Sequence, residues 1–328
     1  MDPNTETKKN SMKSRLLFLQ SYLLRDTDVD HPARTDYLIR ILQGAGFSAD
    51  ARTLRNDIDM LISGGYCICT IREGKYNAYY LDDRDFDLSE LRMLIDAVSS
   101  SRFISREKSE ELTEKLASLA SVHQRDQLKA RVFTADRIKA DDDSSLVTAE
   151  WICEAIEQKK KISFQYYDYT PDKRKVLKHD GEVYVCSPYA IVWNDDRYYL
   201  IGYSDKHQNI GSFRLDRMKG PRILQEEAKP DEEFNPAEYT RHAVKMFGGR
   251  ECEVTLRCRN DLMKNVIDRF GEDIETWTVG RDYFDARLQV QISRTFYSWV
   301  FQFAGGIDIV APEDIREEYR TILKGALS

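Results

Sequence analysis

The sequence predicts a multidomain α+β protein, and three observations carry that expectation. Helical stripes followed by hairpin signals occupy residues 1–81. Helical stripes alone fill the next stretch. The second half switches to runs of β-branched and aromatic residues cut by turns, then to strands alternating with short helices. At 328 residues, with 41% hydrophobic and 32% charged side chains, the chain is long enough for two or three ordinary globular cores.

Residues 11–25 read as an amphipathic helix, with Leu16, Leu19 and Leu23 in a stripe that Leu17 and Leu24 broaden. A second helix spans 35–43 with Leu38, Ile41 and Leu42, and Gly44-Ala45-Gly46 ends it. Asp50 is placed to cap a third helix over 51–62, whose stripe is Leu54, Ile58 and Leu61 and whose stop is Gly64-Gly65. Strands at 66–71 and 77–81 follow, joined by the loop Glu73-Gly74-Lys75-Tyr76. Helix, helix, turn, helix and hairpin are the layout of a winged helix-turn-helix domain, assigned here to residues 1–81.

Residues 82–145 form a helical connector. Leu88, Leu91, Leu94, Ile95 and Val98 make one stripe; Leu112, Leu116 and Leu119 make another. Such stripes either pair two copies or pack on a neighbouring domain, and a homodimer is expected because twofold oligomers are common. The Asp- and Ser-rich stretch 140–145 reads as a hinge. In residues 146–235, a helix at 150–160 precedes strands at 161–169, 183–193, 197–203 and 212–215. Asp180-Gly181, Asn194-Asp195-Asp196 and Gly211 separate them, which gives a small antiparallel β domain. An acidic connection between Pro230 and Pro236 leads to residues 236–328. These read as strand 252–258, helix 261–270, strands 274–279 and 283–292, helix 296–303, strand 307–310 and helix 313–323, a compact α+β sandwich.

Charge and composition narrow the function. The net charge is −7, with +1 on residues 1–81 and −8 on the rest. Indiscriminate adhesion to polyanions is disfavoured, and nucleic acid is bound through a local basic face. No run of about 18 apolar residues exists, and residues 1–10 lack the apolar core of a signal peptide. A cytoplasmic protein with no membrane partner is expected. The six cysteines are then expected to be reduced. Cys67 and Cys69 share one strand face, yet a metal needs two more ligands and no second paired motif is present, so no metal is expected. No P-loop, dinucleotide-binding glycine motif, G-x-S-x-G or H-E-x-x-H occurs, and Asp195-Asp196 fits a hairpin turn better than an acid–base pair. No enzyme activity and no cofactor are expected.

The third helix carries the sharpest signal. Arg52, Thr53, Arg55, Asn56 and Asp59 lie off its apolar stripe. A helix fits the major groove; Arg can fork onto guanine, Asn can pair with adenine, and Thr at a helix N-terminus suits phosphate. The alternative is a solvated face with Arg and Asp paired for solubility. Lys75 and Tyr76, at the hairpin tip, are candidates for backbone or minor-groove contact.

Thr53-Leu54-Arg55-Asn56-Asp57-Ile58-Asp59-Met60-Leu61 resembles the recognition helix of the winged regulators that carry a WYL domain, often T-h-x-R-D-I-x-x-L with h apolar. Asn56 stands where the family usually has Arg. Residues 187–193 (SPYAIVW), 197–203 (RYYLIGY) and 213–218 (FRLDRM) resemble the WYL domain itself, with Tyr198-Tyr199-Leu200 in place of Trp-Tyr-Leu. Residues 299–303 (WVFQF), 309–312 (IVAP) and Ile315-Arg316 are similar to the extension that follows such domains. The resemblance covers nearly the whole chain. It implies an Sm-like small β-barrel for residues 146–235, acting as a sensor of single-stranded nucleic acid or a nucleotide-like effector. Ser187, Tyr199, Arg214 and Arg217 become the effector-binding candidates, guanidinium on phosphate and ring on base. Tyr198, Leu200, Phe213 and Leu215 read as core, and Arg214 and Arg217 have the alternative of pairing with Asp216. The expected function is a sequence-specific regulator of transcription on a double-stranded operator. The alternative is an accessory single-stranded nucleic-acid-binding protein that modulates a partner effector enzyme.

Overall fold

An apolar stripe must be covered, and the first half of the chain covers its stripes with one another. In a computed structural model that describes residues 12–82, 84–129, 139–140 and 143–326, the chain divides into two compact units, Met1–Asp141 and Asp142–Ser328. The first begins with α1 (Met12–Asp26), the two-residue β1 (Ala33–Arg34), α2 (Thr35–Gly44) and α3 (Ala51–Ser63). The strands β2 (Ile68–Glu73) and β3 (Tyr76–Leu81) complete an antiparallel sheet of order β1-β3-β2. Leu19 and Leu23 of α1, Leu38 and Leu42 of α2, and Leu54 and Ile58 of α3 are buried together with Ile68 and Leu81 of the sheet. The turn between α2 and α3 is closed by the Phe47 amide donating to the Leu42 carbonyl at 2.9 Å, with the Phe47 ring 5.5 Å from that of Phe18.

The hairpin is tighter than the sequence suggests. Glu73 pairs with Tyr76, so the tip is Gly74-Lys75 alone, and Gly74 takes the left-handed φ of +61° that such a two-residue turn favours. Tyr76 therefore belongs to β3 rather than to the loop, and the Arg34 guanidinium lies 4.4 Å from its ring centroid.

The helices α4 (Leu88–Ser100), α5 (Arg106–Ala117) and α6 (Val122–Lys129) follow. Asp87 caps α4 and receives the Ser89 and Glu90 amides, while Glu90 returns to the Asp87 amide. Leu91, Ile95, Ala117, Ala120 and Leu128 bury one another, so much of the expected stripe is used inside this connector. Leu119, expected in the stripe, is exposed. Two latches join the connector to the helices before it. Arg84 donates to the Thr27 carbonyl at 2.8 Å and the Leu119 carbonyl at 3.1 Å, and the buried Asp28 carboxylate takes the Ser121 hydroxyl. Asp141 and Asp142 of the expected hinge lie outside the described residues, and Ser144 and Ser145 are already helical.

In the second unit α7 (Ser144–Glu157) starts six residues before the sequence suggests, and the strands β4 (Lys160–Tyr169), β5 (Lys175–Leu177), β6 (Tyr184–Asn194), β7 (Arg197–Ser204), β8 (Asn209–Arg214) and β9 (Met218–Glu227) follow. The sheet runs β5-β4-β6-β7-β8, with β9 also on β4. Register shifts interrupt β4 against β9 and β6 against β7; such bulges bend strands and curl the sheet. Ile152 and Ala155 of α7 close over Ile162 and Phe164 of β4, Cys186 of β6, Leu200 of β7 and Leu215. Gly202 is required where β7 meets β6, because a Cβ there would lie 2.4 Å from the Ser187 carbonyl oxygen.

The short helix α8 (Pro236–His242) leads to β10 (Arg250–Arg259), α9 (Met263–Phe270), β11 (Glu275–Val279), β12 (Tyr283–Ile292), α10 (Arg294–Phe301), β13 (Ile307–Ala311) and α11 (Glu313–Ala326). The sheet order is β11-β12-β10-β13, all antiparallel. Alternate residues Val254, Leu256 and Cys258 of β10, and Phe284, Ala286, Leu288 and Val290 of β12, are buried with residues of all three helices. Among the described residues no helix is long and apolar enough to cross a membrane.

Candidate functional site

Two places concentrate uncommitted polar chemistry. The first is the exposed face of α3. Asp50 caps the helix by accepting the Thr53 amide at 2.7 Å, and that bond, with a further one from the Thr53 side chain, holds the Asp50 carboxyl below its usual range. Thr53 is thus drawn into the cap. Asp57 faces inward beside Leu54 and Ile58, at 1% exposure, and Arg15 of α1 reaches it through two bonds of 2.6 and 2.9 Å. This pair fixes the roll of α3 about its axis. What remains outside is Arg52, Arg55, Asn56 and Asp59, all exposed, with no hydrogen bond or ion pair from their side chains to any described residue. Lys75 at the hairpin tip is exposed, its ammonium 5.2 Å from the Tyr76 ring centroid.

At the base of that hairpin Asp82 joins the Cys67 and Cys69 pair, which the sequence alone did not show. Cys67, Cys69 and Asp82 bring their ligand atoms within 4.8 Å of one another. The Asp82 amide donates to the Cys67 carbonyl at 3.0 Å, which places the carboxylate beside the thiols. Among the described residues the cluster has three donors, with Cys67 and Asp82 exposed, where a closed zinc site has four.

The second place is a cavity of about 790 Å3 in the second unit. Tyr166, Tyr199, Phe213, Arg214 and Arg217 line one part of it; Lys178, His179 and His207 add cations or potential cations from turns. Another part of the wall comes from Tyr239, Phe247, Gly248, Glu251 and Gln291. Arg214 is largely committed: its Nε and Nη2 bond Asp216 at 3.0 and 2.7 Å, and Arg197 bonds the same carboxylate at 2.7 Å. Burial opposes the Asp216 charge, but the Arg214 hydrogen bond and the charges of Arg214, Arg197 and Arg217 outweigh it and hold the carboxyl below its usual range. Arg217 makes no hydrogen bond or ion pair with any described residue. Tyr166 is pushed up to about 12 by burial, and its hydroxyl accepts the Arg214 amide at 2.9 Å. Burial also raises Tyr199, so both rings stay neutral.

Of the four effector candidates, the structure brings Tyr199, Arg214 and Arg217 to this cavity and leaves Ser187 out. Ser187 is fully buried in β6, and its hydroxyl accepts the Lys229 amide at 2.9 Å. Residues 148–223 match the WYL domain model, and residues 250–327 match the WCX domain model. This is a WYL-domain protein. Its cavity is therefore lined by the WYL domain, by the segment joining the two domains (Tyr239, Phe247 and Gly248), and by Glu251 and Gln291 of the WCX domain.

No curated protein matched the sequence. Among solved structures the WYL-domain chain is similar to proteasome accessory factor B/C (PafBC) of Arthrobacter aurescens, at 16% identity and a TM-score of 0.30, over 97% of this chain and 49% of that one. It is also similar to a structure described as a CRISPR Cas-related protein, at 17% identity and a TM-score of 0.36, over 74% of each chain. The chain thus spans about half the length of the PafBC chain.

Proposed function

We propose that this WYL-domain protein is a sequence-specific DNA-binding regulator of transcription. Its N-terminal helices and hairpin act as a winged helix-turn-helix, and its WYL cavity senses a nucleotide or single-stranded nucleic-acid effector. One observation carries the reading: α3 is held by the Asp50 cap and the Arg15–Asp57 pair, while the side chains of Arg52, Arg55 and Asn56 on its outer face make no hydrogen bond or ion pair with any described residue. A capped helix that presents Arg and Asn on its outer face beside its N-terminus is suited to base edges in a major groove. The hairpin tip, with Lys75, is suited to the adjacent backbone. The protein acts as a homodimer, each copy reading one half-site.

Selection from a random duplex pool tests this. The expected outcome is enrichment of a pseudo-palindromic sequence. On that site Arg52→Ala and Arg55→Ala are each expected to weaken binding by about 1–3 kcal/mol. Failure to enrich any duplex, or unchanged binding by both variants, overturns the assignment of α3. Enrichment of single strands alone favours the accessory role instead.

A further inference from the structure

The hairpin carries a donor set that neither the α3 face nor the cavity uses. Cys67 precedes β2 and Asp82 follows β3. The bond from the Asp82 amide to the Cys67 carbonyl sets these two opposite each other, and the ladder sets Cys69 opposite Tyr80. Side chains two apart on a strand share a face. Cys67, Cys69, Tyr80 and Asp82 therefore form one patch of the sheet, while the intervening Ile68 and Leu81 turn into the core. Two sulfurs on one tetrahedral zinc stand about 3.8 Å apart, given zinc–sulfur bonds of about 2.3 Å. The ligand atoms of Cys67, Cys69 and Asp82 already lie within 4.8 Å of one another, so they meet one ion after an approach of about 1 Å.

The chemistry of the donors decides which ion. Magnesium and calcium take oxygen ligands. Two thiolates beside one carboxylate suit a borderline-soft divalent ion, and zinc is bound by this mixture of sulfur and oxygen. With Cys67 and Asp82 exposed, water can reach the fourth position, as in zinc sites that keep one position open. Tyr80 is 9% exposed, and its hydroxyl is in side-chain hydrogen-bond contact with Cys69, the largest of the influences that raise the phenol. Such an outer partner orients a ligating group. We infer that Cys67 Sγ, Cys69 Sγ and the Asp82 carboxylate bind one zinc-class divalent cation at the base of the hairpin, with water as the fourth ligand. Each sulfur binds as its thiol proton leaves to solvent, so affinity rises with pH. The ion joins the chain entering the hairpin to the chain leaving it.

Cobalt titration of the full chain, reduced and stripped of metal by a chelator, tests this, because zinc itself has no visible spectrum. The expected result is a single equivalent of cobalt bound with a sulfur-to-cobalt charge-transfer band, which zinc then bleaches because it binds such sites more tightly. Cys67→Ser, Cys69→Ser and Asp82→Ala should each weaken cobalt binding by about tenfold or more. Cys153→Ser, which removes an exposed thiol of the second unit, should change nothing. Zinc should raise the melting temperature of the unaltered chain and not that of Cys67→Ser. Cys67 is exposed, so Cys67→Ser should keep the metal-free melting temperature, and a lost band then reports a lost ligand rather than a lost fold. Absence of the band, or undiminished affinity in both cysteine variants, overturns the site. Undiminished affinity in Asp82→Ala alone overturns the carboxylate's place in it. The readout is metal rather than DNA, so these outcomes are independent of the reading of α3.

Discussion

Arg15–Asp57 in the first unit and Arg214–Asp216 in the second are both joined by two nitrogen–oxygen bonds, yet they act on their surroundings in opposite ways. The first spans 42 residues and ties α1 to α3. Its ions are taken out of play, and the result is a held helix whose Arg52 and Arg55 are exposed and bond no described side chain. The second spans two residues at the end of β8, and its carboxylate also takes Arg197 at the start of β7. What it does is neutralise a cation that already faces the cavity, whereas Arg217 makes no hydrogen bond or ion pair with any described residue. A carboxylate far away in sequence builds a platform; one close by tunes the charge of a site.

Removal of each acid separates these roles. Asp57→Ala strands Arg15, which is only 14% exposed, beneath α3. The expected loss is about 3–5 kcal/mol of stability by urea denaturation, because an uncompensated buried charge remains. A loss below about 1 kcal/mol would show that the pair does not set the platform. Asp216→Asn should have a smaller effect, about 2 kcal/mol, on the scale of hydrogen bonds to charged groups, and should tighten inorganic phosphate binding by freeing Arg214 and Arg197. Weaker phosphate binding would break the contrast between the pairs.

The pH dependence sharpens it. Asp216 is held below its usual range against the push of burial, so its contribution is whole above the unfolded value of about 4. That contribution is lost as pH falls through the lower folded value. Asp216→Asn should flatten that part of the acid limb in denaturation midpoints measured against pH. The smallest expected effect is at the hairpin tip. Lys75→Ala should leave the selected sequence unchanged and lower the salt slope of DNA binding by about one.

How much of this was legible in the sequence varied with range. The bounds of α3 were, because its Leu54, Ile58 and Leu61 stripe and its Asp50 cap are local signals. Asp57 is buried on the same inward face, but no local signal in the sequence pointed to Arg15 as its partner. The strand β9 went unread because Gly220 and Pro221 look like a turn; on β4 they are tolerated where β9 pairs on one side only. Ser187 was placed by resemblance in the effector set, although a strand position alone cannot tell which groups a hydroxyl will face; here it meets the Lys229 amide. The cavity wall at Tyr239, Gly248 and Gln291 was the least legible part, since it exists only once α8 and β12 are brought beside β8.

The Arg84 clasp has a mechanical corollary. One guanidinium grips the carbonyl at the end of α1 and the carbonyl between α5 and α6, while Leu81 and Asp28 hang from the same corner through Thr27 and Ser121. A torque applied to the connector helices is therefore passed at this corner to the end of α1 and, through Leu81, to the hairpin.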